Sequence, residues 1–361
     1  MHSECISIDA GQLILNVRRA KHPISEILDF ACRENPKRGF LFVSKILGKH
    51  IPVRPSKMRA IYDEFAEYIE PGDDTYVVGM AETATGLGAG IADSLSRRQK
   101  PPVYYQHTTR NKLNKPLWLE LDEIHSHAVD QLLYEPSPEH LEGIRQAKRL
   151  ILVDDEISTG RTIKQLAKKL LSNLPYVREI VIVSLVSWLS EDATRVLKNF
   201  PVSTRFISLV EGDFSFIPNP EFSAELPPIV DRALAETQAL TNVGRFGLLM
   251  PYQGSVPDLN VRNSLTVVGD GEHLYLPFLA AERAEAKGLD VLFQSTTRSP
   301  IREGQAIKSK LSFSIDERPV KHFIYNLADD PAREVVVLLE DERMRPMHQL
   351  ARQYPASLRV V

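Results

Sequence analysis

The chain has 361 residues, of which 43% are hydrophobic and 25% are charged, and its formal net charge is -3. These values are ordinary for a soluble globular protein with two domains, and the charge gives no overall attraction to nucleic acid or anionic membranes. The two cysteines cannot form a disulfide framework, and no apolar run is long enough to span a bilayer. The amino terminus lacks the basic start and long apolar core of a signal peptide, so we expect a cytoplasmic protein without nucleic-acid or membrane partners.

Short runs rich in Val, Ile and Leu alternate with amphipathic helical patterns along most of the chain. TYVVGM (Thr75–Met80) and LILVDD (150–155) each precede a helical pattern, and EIVIVSLVSW and TRFISLV follow. Such alternation is typical of a parallel sheet covered by helices on both faces. These sheets bind ligands at the carboxyl ends of their strands, which is where Asp154 and Asp155 fall. The sequence therefore predicts an α/β fold with a parallel, Rossmann-like sheet.

The composition changes after Val210. Residues 211–240 contain Pro218, Pro220, Pro227 and Pro228 and show no clear periodicity, which predicts a linker or surface excursion. A second α/β pattern begins near Gly244. We therefore predict one domain over residues 1–240 and a smaller one over 241–361.

The second pattern repeats parts of the first in the same order, which favours a duplication. The alternative is two generic α/β units that share common residue types. The repeated parts are Val-Val-Gly followed by a glutamate (Glu82 and Glu272), Gln-x-Thr-Thr-Arg (106–110 and 294–298), and an acidic triplet (154–156 and 340–342).

The stretch LILVDDEISTGRTI, Leu150–Ile163, joins a buried strand to a helix through a short hydroxyl-rich loop. In this geometry the loop Ser158–Thr162 presents successive backbone amides, and the helix that starts near Thr162 adds the positive end of its dipole. Gly160 permits close backbone approach, and the Gly-Lys-Ser/Thr ending of a Walker loop is missing. The loop is therefore suited to one terminal phosphate, and we call it the phosphate loop.

Asp154 and Asp155 directly precede the phosphate loop, where a second phosphate would be repelled. Carboxylates at this position can instead accept strong hydrogen bonds from sugar hydroxyls. The motif thus predicts a sugar-phosphate site. The alternative is a solvated strand end followed by an ordinary turn.

This run resembles the signature of type I phosphoribosyltransferases, in particular the orotate phosphoribosyltransferase-like enzymes, which bind 5-phosphoribosyl-1-pyrophosphate (PRPP). The resemblance implies that Asp154 and Asp155 hold the ribose hydroxyls and that the phosphate loop holds the 5′-phosphate. It also implies Mg²⁺ as a cofactor without a direct protein ligand. The implied PRPP-binding residues are Glu156, Ser158, Thr159, Gly160, Arg161 and Thr162.

The resemblance implies two further parts. A pyrophosphate loop is expected at Gly79–Gly88, with the amides of Ala81, Glu82 and Thr83 facing the anion. A loop that closes over the reaction is expected after the VYYQ strand, and there Arg110 and Lys112 join the aspartate pair as candidate catalytic residues. Other groups of this region are Thr108, Thr109 and Lys115, which could meet the pyrophosphate, and His125 and His127, which we leave outside the core site.

A hood over the acceptor side is expected within residues 1–60. This segment is rich in basic groups, which either contact the base or phosphates or form an ordinary solvated face. The basic groups are Lys45, Lys49, His50 and Arg54.

The second domain contains Thr297-Arg298-Ser299-Pro300 and resembles the TRSP domain, which is named for these four residues. That domain follows orotate phosphoribosyltransferase-like domains in tellurium-resistance and stress gene clusters. In this copy Arg343–Met347 replaces the phosphate loop, and Pro346 has no amide to donate. We expect a degenerate copy with a changed ligand, and with Arg298 as a fork for an anionic group. Its expected site residues are Asp270, Glu272, Thr296, Thr297, Arg298 and Ser299.

Together these features predict an enzyme that transfers phosphoribosyl from PRPP to an unidentified nitrogen nucleophile, in nucleotide-like metabolism linked to stress or tellurite resistance. The second domain would bind the acceptor or product, or act as a second catalytic site. The main alternative is a non-catalytic sensor of PRPP or nucleotides, and an RNA-binding regulator is a weaker one because a basic-aromatic surface pattern is lacking. A homodimer is expected because relatives of this fold commonly pair.

Overall fold

The structure is a computed structural model. It describes residues 2–35, 38–121, 131–224, 244–259, 264–315, 321–327, 330, 332–353 and 358–360. None of the described helices is long and apolar enough to cross a membrane.

Strands and helices alternate along the described chain. The strands are β1 (His2–Ile8), β2 (Gly11–Ala20), β3 (Leu28–Cys32), β4 (Phe40–Ser44), β5 (Thr75–Gly79), β6 (Val103–His107), β7 (Leu117–Leu121), β8 (Gln131–Tyr134), β9 (Arg149–Ile157), β10 (Glu179–Ser187), β11 (Ser203–Pro218), β12 (Leu248–Met250), β13 (Ser264–Gly269), β14 (Val291–Ser295), β15 (Lys310–Phe313), β16 (His322–Tyr325), β17 (Arg333–Leu339) and β18 (Leu358–Val360). The helices are α1 (Ile24–Ile27), α2 (Pro55–Glu67), α3 (Ala84–Ser96), α4 (Pro138–Arg145), α5 (Arg161–Leu171), α6 (Glu191–Lys198), α7 (Tyr275–Ala286) and α8 (Gln349–Gln353), with a 3₁₀ helix at Glu342–Met344.

The chain forms two compact units that are interleaved in sequence. The central unit comprises residues 59–211 and 232–254, and the terminal unit comprises residues 1–58, 212–231 and 255–361. This partition differs from the sequence-based division at residue 240, which stays a prediction. The difference arises because residues 1–58 pack with the carboxyl-terminal third of the chain, a long-range contact that local sequence patterns do not show.

The central unit is built on a parallel sheet with the strand order β11-β10-β9-β5-β6, and the antiparallel strand β12 pairs with β6 at the edge. The middle strands are buried because their central residues are continuously apolar, as in Leu150–Val153. Helix α5 covers the sheet with Ile163, Leu166, Ala167 and Leu170, whose spacing places them on one helical face. The predicted parallel α/β architecture is confirmed.

The terminal unit contains a smaller parallel sheet with the order β14-β13-β17-β18. The same order, β6-β5-β9-β10, occurs in the central unit, and each sheet has an antiparallel hairpin after its edge strand, β7–β8 in one and β15–β16 in the other. Two unrelated units would not be expected to share both the strand order and the position of the hairpin. The repeat is what a duplication predicts.

The two copies also share side-chain hydrogen bonds. In the central unit the Gln106 side-chain amide donates to the Tyr134 carbonyl at 2.8 Å. In the terminal unit the Gln294 side-chain amide donates to the Tyr325 carbonyl. Each glutamine is fully buried and belongs to the Gln-x-Thr-Thr-Arg motif. The motif therefore recurs because it joins the edge strand to the hairpin in both copies.

Strand β11 corrects part of the linker prediction. It continues to Pro218, so residues 211–218 form strand and not an irregular excursion. Phe214 and Phe216 extend the strand because their rings pack on the Phe40 ring, with centroid distances of 5.3 and 4.8 Å. Residues 225–240 of the predicted linker lie outside the described residues.

The basic groups expected in the hood are committed to contacts within the terminal unit. Lys45 Nζ donates to the Ser25 carbonyl at 2.6 Å, and Arg54 pairs with Asp290 at 2.7 Å. Lys49 is 2% exposed and donates to the carbonyls of Thr296 and Gly271 at 2.8 and 3.3 Å. Lys49 is therefore not part of a solvated basic face, whereas the side chain of Arg54 is 51% exposed.

Candidate active site

The acidic doublet lies at the carboxyl end of the central strand β9. Gly79, the last residue of β5, pairs with Val153, so the strand next to β9 ends one residue before Asp154. The Met80 amide, the first of the pyrophosphate loop, donates to the Val153 carbonyl at 2.9 Å. The structure thus brings the start of the predicted pyrophosphate loop beside the predicted ribose-binding acids, at the edge of the sheet where parallel strands bind ligands.

The surroundings of Asp154 make its carboxyl group hard to ionise. Burial raises the pKa of Asp154 well above its usual range, and the neighbouring charge of Asp155 raises it further. The Asp155 amide donates to Asp154 Oδ1 at 3.0 Å, which partly offsets these effects. A half-buried carboxyl group with a raised pKa is costly to ionise in the free protein, and such groups concentrate at functional sites.

The phosphate loop is shaped by Gly160. Its φ is +68°, and a Cβ atom there would lie 2.8 Å from Leu197 Cδ1 and 3.1 Å from Leu189 Cδ2, so glycine is required both by conformation and by space. Helix α5 begins at Arg161, one residue before the predicted start. Gly160 has no side chain to cap the helix, and the Arg161 amide donates to Thr159 Oγ1 at 3.4 Å. An anion at the helix start would replace that long bond or use the amides that follow Arg161.

The phosphate loop is held at its base by a backbone hydrogen bond, and its side chains range from half-buried to exposed. The Trp188 amide donates to the Ile157 carbonyl at 2.7 Å, which anchors the end of β9 to β10. Ser158 and Thr162 are half-buried, whereas Thr159 and Arg161 are exposed. The loop therefore has a rigid base and a solvent-facing rim.

The pyrophosphate loop is short and tightly packed. The predicted range Gly79–Gly88 is too long, because α3 begins at Ala84 and residues 84–88 are helical. The loop runs from the end of β5 at Gly79 to the start of α3, and a Cβ atom on Gly79 would lie 2.4 Å from the Ala84 carbonyl oxygen. The Ala81–Glu82 peptide bond is cis. The Ala81 amide donates to Thr108 Oγ1 at 2.9 Å, so it cannot face an anion as expected. Only the Glu82 and Thr83 amides remain as predicted anion donors.

The segment after β6 contains two buried threonines and two basic residues that are partly or fully exposed. Thr108 and Thr109 are buried, and Thr109 exchanges two backbone hydrogen bonds of 2.8 Å with Leu132. Arg110 is half-buried and Lys112 is exposed. The two threonines therefore hold structure, and the roles of Arg110 and Lys112 toward a ligand stay predictions. His125 and His127 lie outside the described residues.

Sequence reasoning missed two contributors to this site. Leu197 of α6 packs over Gly160, and Gln131 accepts the Thr108 hydroxyl hydrogen at 2.6 Å. A leucine on an amphipathic helix gives no functional signal. Gln131 stands 23 positions from Thr108, so no local pattern connects them.

In the terminal unit the predicted second site is a buried polar cluster around Asp270. Thr296 Oγ1 donates to Asp270 Oδ1 at 2.7 Å, and His348 Nε2 lies 3.3 Å from the same oxygen. Burial alone would raise the pKa of Asp270, but the nearby His348 and His322 and the Thr296 hydroxyl hold it well below its usual range. Asp270 is thus an ionised group stabilised by its own chain.

The predicted anion fork of this cluster is already engaged. Arg298 lies 3.6 Å from Glu272, and 23% of its side chain is exposed. Ser299 is also half-buried and accepts a hydrogen bond of 3.2 Å from Arg33. Where the other copy has its phosphate loop, residues Glu342–Met344 form a 3₁₀ helix in which the Arg343 amide donates to the Asp341 side chain. The backbone of this turn is therefore hydrogen-bonded to its own Asp341 side chain.

We expect Asp270→Ala to lower the free energy of unfolding by about 3 kcal/mol at neutral pH, because it leaves buried partners without their charge. The low pKa of Asp270 means that this stabilisation is present above pH ~4 and is lost as the pH falls further, so the difference from wild type should shrink in acid. Urea unfolding measures both.

The control for Asp270→Ala is Asp258→Ala, which removes an exposed partner of Lys287 and should cost less than about 1 kcal/mol. Equal losses for the two variants would contradict a stabilising role of the Asp270 cluster.

The described residues contain no group of three or more His, Cys, Asp or Glu side chains arranged to hold a metal ion. Two adjacent carboxylates next to a phosphate loop fit a Mg²⁺ ion that is carried mainly by substrate phosphates and water, which is its usual mode of binding.

Comparisons with known proteins agree with this geometry. The family model described as phosphoribosyl transferase matches residues 27–213, just over half of the chain, and the model of the TRSP domain, carboxyl-terminal to it, matches residues 252–352. No curated protein was found to match the chain.

Several solved structures resemble the chain weakly. Adenine phosphoribosyltransferase from Giardia lamblia, complexed with 9-deazaadenine, is 15% identical, with a TM-score of 0.35 over 53% of this chain and 97% of that chain. Orotate phosphoribosyltransferase from Aeropyrum pernix is 18% identical, with a TM-score of 0.29 over 51% of this chain and 83% of that chain.

Proposed function

Because the chain belongs to the phosphoribosyl transferase family, we propose that it transfers the 5-phosphoribosyl group from PRPP to a nitrogen nucleophile and releases pyrophosphate. The observation that supports this most is the arrangement at the end of β9, where an acidic doublet, a left-handed glycine and an uncapped helix start follow one another. That arrangement offers carboxylates for two sugar hydroxyls and backbone amides for one phosphate.

On this proposal the phosphate loop holds the 5′-phosphate through the first-turn amides of α5 and the hydroxyls of Ser158, Thr159 and Thr162. Asp154 and Asp155 accept hydrogen bonds from the ribose hydroxyls. Only the ionised carboxylates can accept all of these bonds, so binding favours loss of any proton held by Asp154. The sugar is then held from both ends, which fixes its anomeric carbon relative to the acceptor.

The leaving pyrophosphate would lie against the pyrophosphate loop. The Glu82 and Thr83 amides would donate to it, and Arg110 and Lys112 would add positive charge. When bound, Mg²⁺ neutralises pyrophosphate charge as the bond to the anomeric carbon weakens. The aspartate pair would provide a nearby negative charge for the positive charge that develops on the anomeric carbon in the transition state.

In the terminal unit we propose that Arg298 and Ser299 face a separate ligand, since both are half-buried and follow the carboxyl end of β14. Acceptor or product binding and a second catalytic step are the two roles that this placement leaves open. The homodimer and the cytoplasmic location also stay predictions.

A pyrophosphate-release assay with PRPP, Mg²⁺ and a panel of purine, pyrimidine and pyridine bases tests the main proposal. We expect release with at least one base and none without a base, because exclusion of water prevents hydrolysis. Tight PRPP binding without release for any nitrogen nucleophile, even with cell extract added, would support a PRPP sensor instead. Absence of PRPP binding would contradict both.

A further inference from the structure

Thr108 connects both ends of the first turn of the pyrophosphate loop. Its amide donates to the Gly79 carbonyl at 3.0 Å, and its hydroxyl oxygen accepts from the Ala81 amide at 2.9 Å. Gly79 is the last residue of β5, and Ala81 is the second residue beyond it. One buried residue directly after the neighbouring strand β6 thus sets where the loop leaves the sheet and how its next peptide is oriented.

The direction of the Thr108 hydroxyl is fixed by a second bond. A threonine hydroxyl has one hydrogen to donate, and Thr108 donates it to Gln131 Oε1 at 2.6 Å. The oxygen therefore presents its lone pairs to the Ala81 amide. Because Thr108 is fully buried, water cannot replace either bond if the hydroxyl is removed.

The duplicated copy repeats this arrangement at the equivalent threonine. The Thr296 amide donates to the Gly269 carbonyl at 3.0 Å, and Thr296 Oγ1 accepts from the Gly271 amide at 2.7 Å. The loops differ in sequence, Met-Ala-Glu-Thr against Asp-Gly-Glu-His, yet the threonine anchor is the same. The anchor is therefore a property of the architecture that holds the loop in place, independent of the residues that the loop presents.

We propose that Thr108 is a positioning residue for pyrophosphate recognition: without touching the substrate, its hydroxyl holds the Ala81 amide so that the next two amides, of Glu82 and Thr83, point at the anion. This rests on the proposed function. Anion sites of this kind depend on hydrogen-bond donors that are already held in the bound geometry. Without the bond to Ala81 the loop must be ordered on binding, and the lost conformational entropy weakens the affinity.

The test compares three variants by calorimetry with two probes, inorganic pyrophosphate with Mg²⁺ and PRPP with Mg²⁺. Thr108→Val keeps the shape and removes the hydroxyl, and we expect about ten-fold weaker binding of both probes, the cost of one buried hydrogen bond. Thr108→Ser keeps the hydroxyl and should bind within about two-fold of wild type. With an active acceptor, kcat should fall together with the affinity in Thr108→Val.

Thr75→Val is the matched control. Thr75 is fully buried, donates its hydroxyl to the Asp73 carbonyl at 2.8 Å and lies at the opposite end of β5 from the loop. Thr75→Val loses one hydrogen bond and Thr108→Val loses two, so the stability of Thr75→Val should fall by a smaller amount, whereas its affinity for both probes should match wild type.

The proposal is overturned if Thr108→Val binds pyrophosphate like wild type, if Thr108→Ser is as weak as Thr108→Val, or if Thr75→Val weakens binding equally. Should Thr108→Val fail to fold, Gln131→Leu decides, because it frees the hydroxyl to rotate; a several-fold loss of pyrophosphate affinity is expected, and an unchanged affinity refutes the role. Wild-type protein that binds neither probe would instead count against the proposed function itself.

Discussion

Replacing both Asp154 and Asp155 by asparagine is expected to weaken PRPP binding by at least about a hundred-fold, since two hydrogen bonds to charged groups, each worth roughly 1.5–3 kcal/mol, are lost. The geometry gives the reason. The doublet follows five buried residues of the central strand and precedes the phosphate loop, so a ribose 5-phosphate held by its phosphate has its hydroxyls at the carboxylates. Calorimetry with PRPP and Mg²⁺ measures the change.

The control for the double variant is Asp192→Asn, which removes an exposed carboxylate of α6 that pairs with Arg195. It should leave PRPP affinity unchanged. If the double variant binds PRPP as tightly as this control does, the assignment of the doublet to the ribose is wrong.

The substitution Asp154→Asn alone should make the ligand-free protein more stable. An acid whose pKa is raised by folding stabilises the folded state at low pH, and this contribution is lost as the pH rises through the folded pKa. Asp154 is half-buried and costly to ionise in the folded state, so at a pH above its folded pKa Asp154→Asn should raise the melting temperature by about 2–4 °C. Gain of stability with loss of binding is the pattern expected of a residue kept for function.

The parts of this protein that sequence predicts are those whose signals are local. The run Leu150–Val153, the acids and the phosphate loop are contiguous, so strand, site and helix could be derived together, and the predicted family and α/β architecture are confirmed. Helix α5 starts within one residue of its prediction because Gly160 can only occupy a turn there. Periodicity and turn chemistry act over a few residues, which is the range that sequence reading resolves.

The remaining features depend on contacts between distant residues. Strand β11 extends through Pro218 because Phe214 meets Phe40, 174 positions away by their numbering, and no periodicity near Phe214 reveals that partner. The bond from Thr108 to Gln131 joins a motif to an unremarkable residue. Likewise the Ala81 amide does not face an anion as expected, because it donates to Thr108, the residue that follows β6. Tertiary partners, more than local preference, decide which group of a motif faces the ligand.

Substituting Gly160 by alanine is expected to lower PRPP affinity at least about ten-fold and the free energy of unfolding by about 1–2 kcal/mol, the cost of a side chain in the left-handed region. The new Cβ atom would also lie 2.8 Å from Leu197 Cδ1, so the leucine side chain or the turn must move. We expect the strained left-handed backbone to shift the α5 amides relative to the phosphate. Calorimetry and urea unfolding report the two effects separately.

Gly288→Ala separates backbone strain from displacement of the phosphate loop. Gly288 has a φ of +89°, but a Cβ atom there meets nothing within 4 Å. It should therefore lose similar stability and keep wild-type PRPP affinity. If Gly160→Ala loses stability alone, as Gly288→Ala does, the phosphate is not held by the start of α5. Because the loop is anchored on one side by Ile157 and packed on the other by Leu197, it has little freedom to relax around an added methyl group, and so binding should be lost before the fold is.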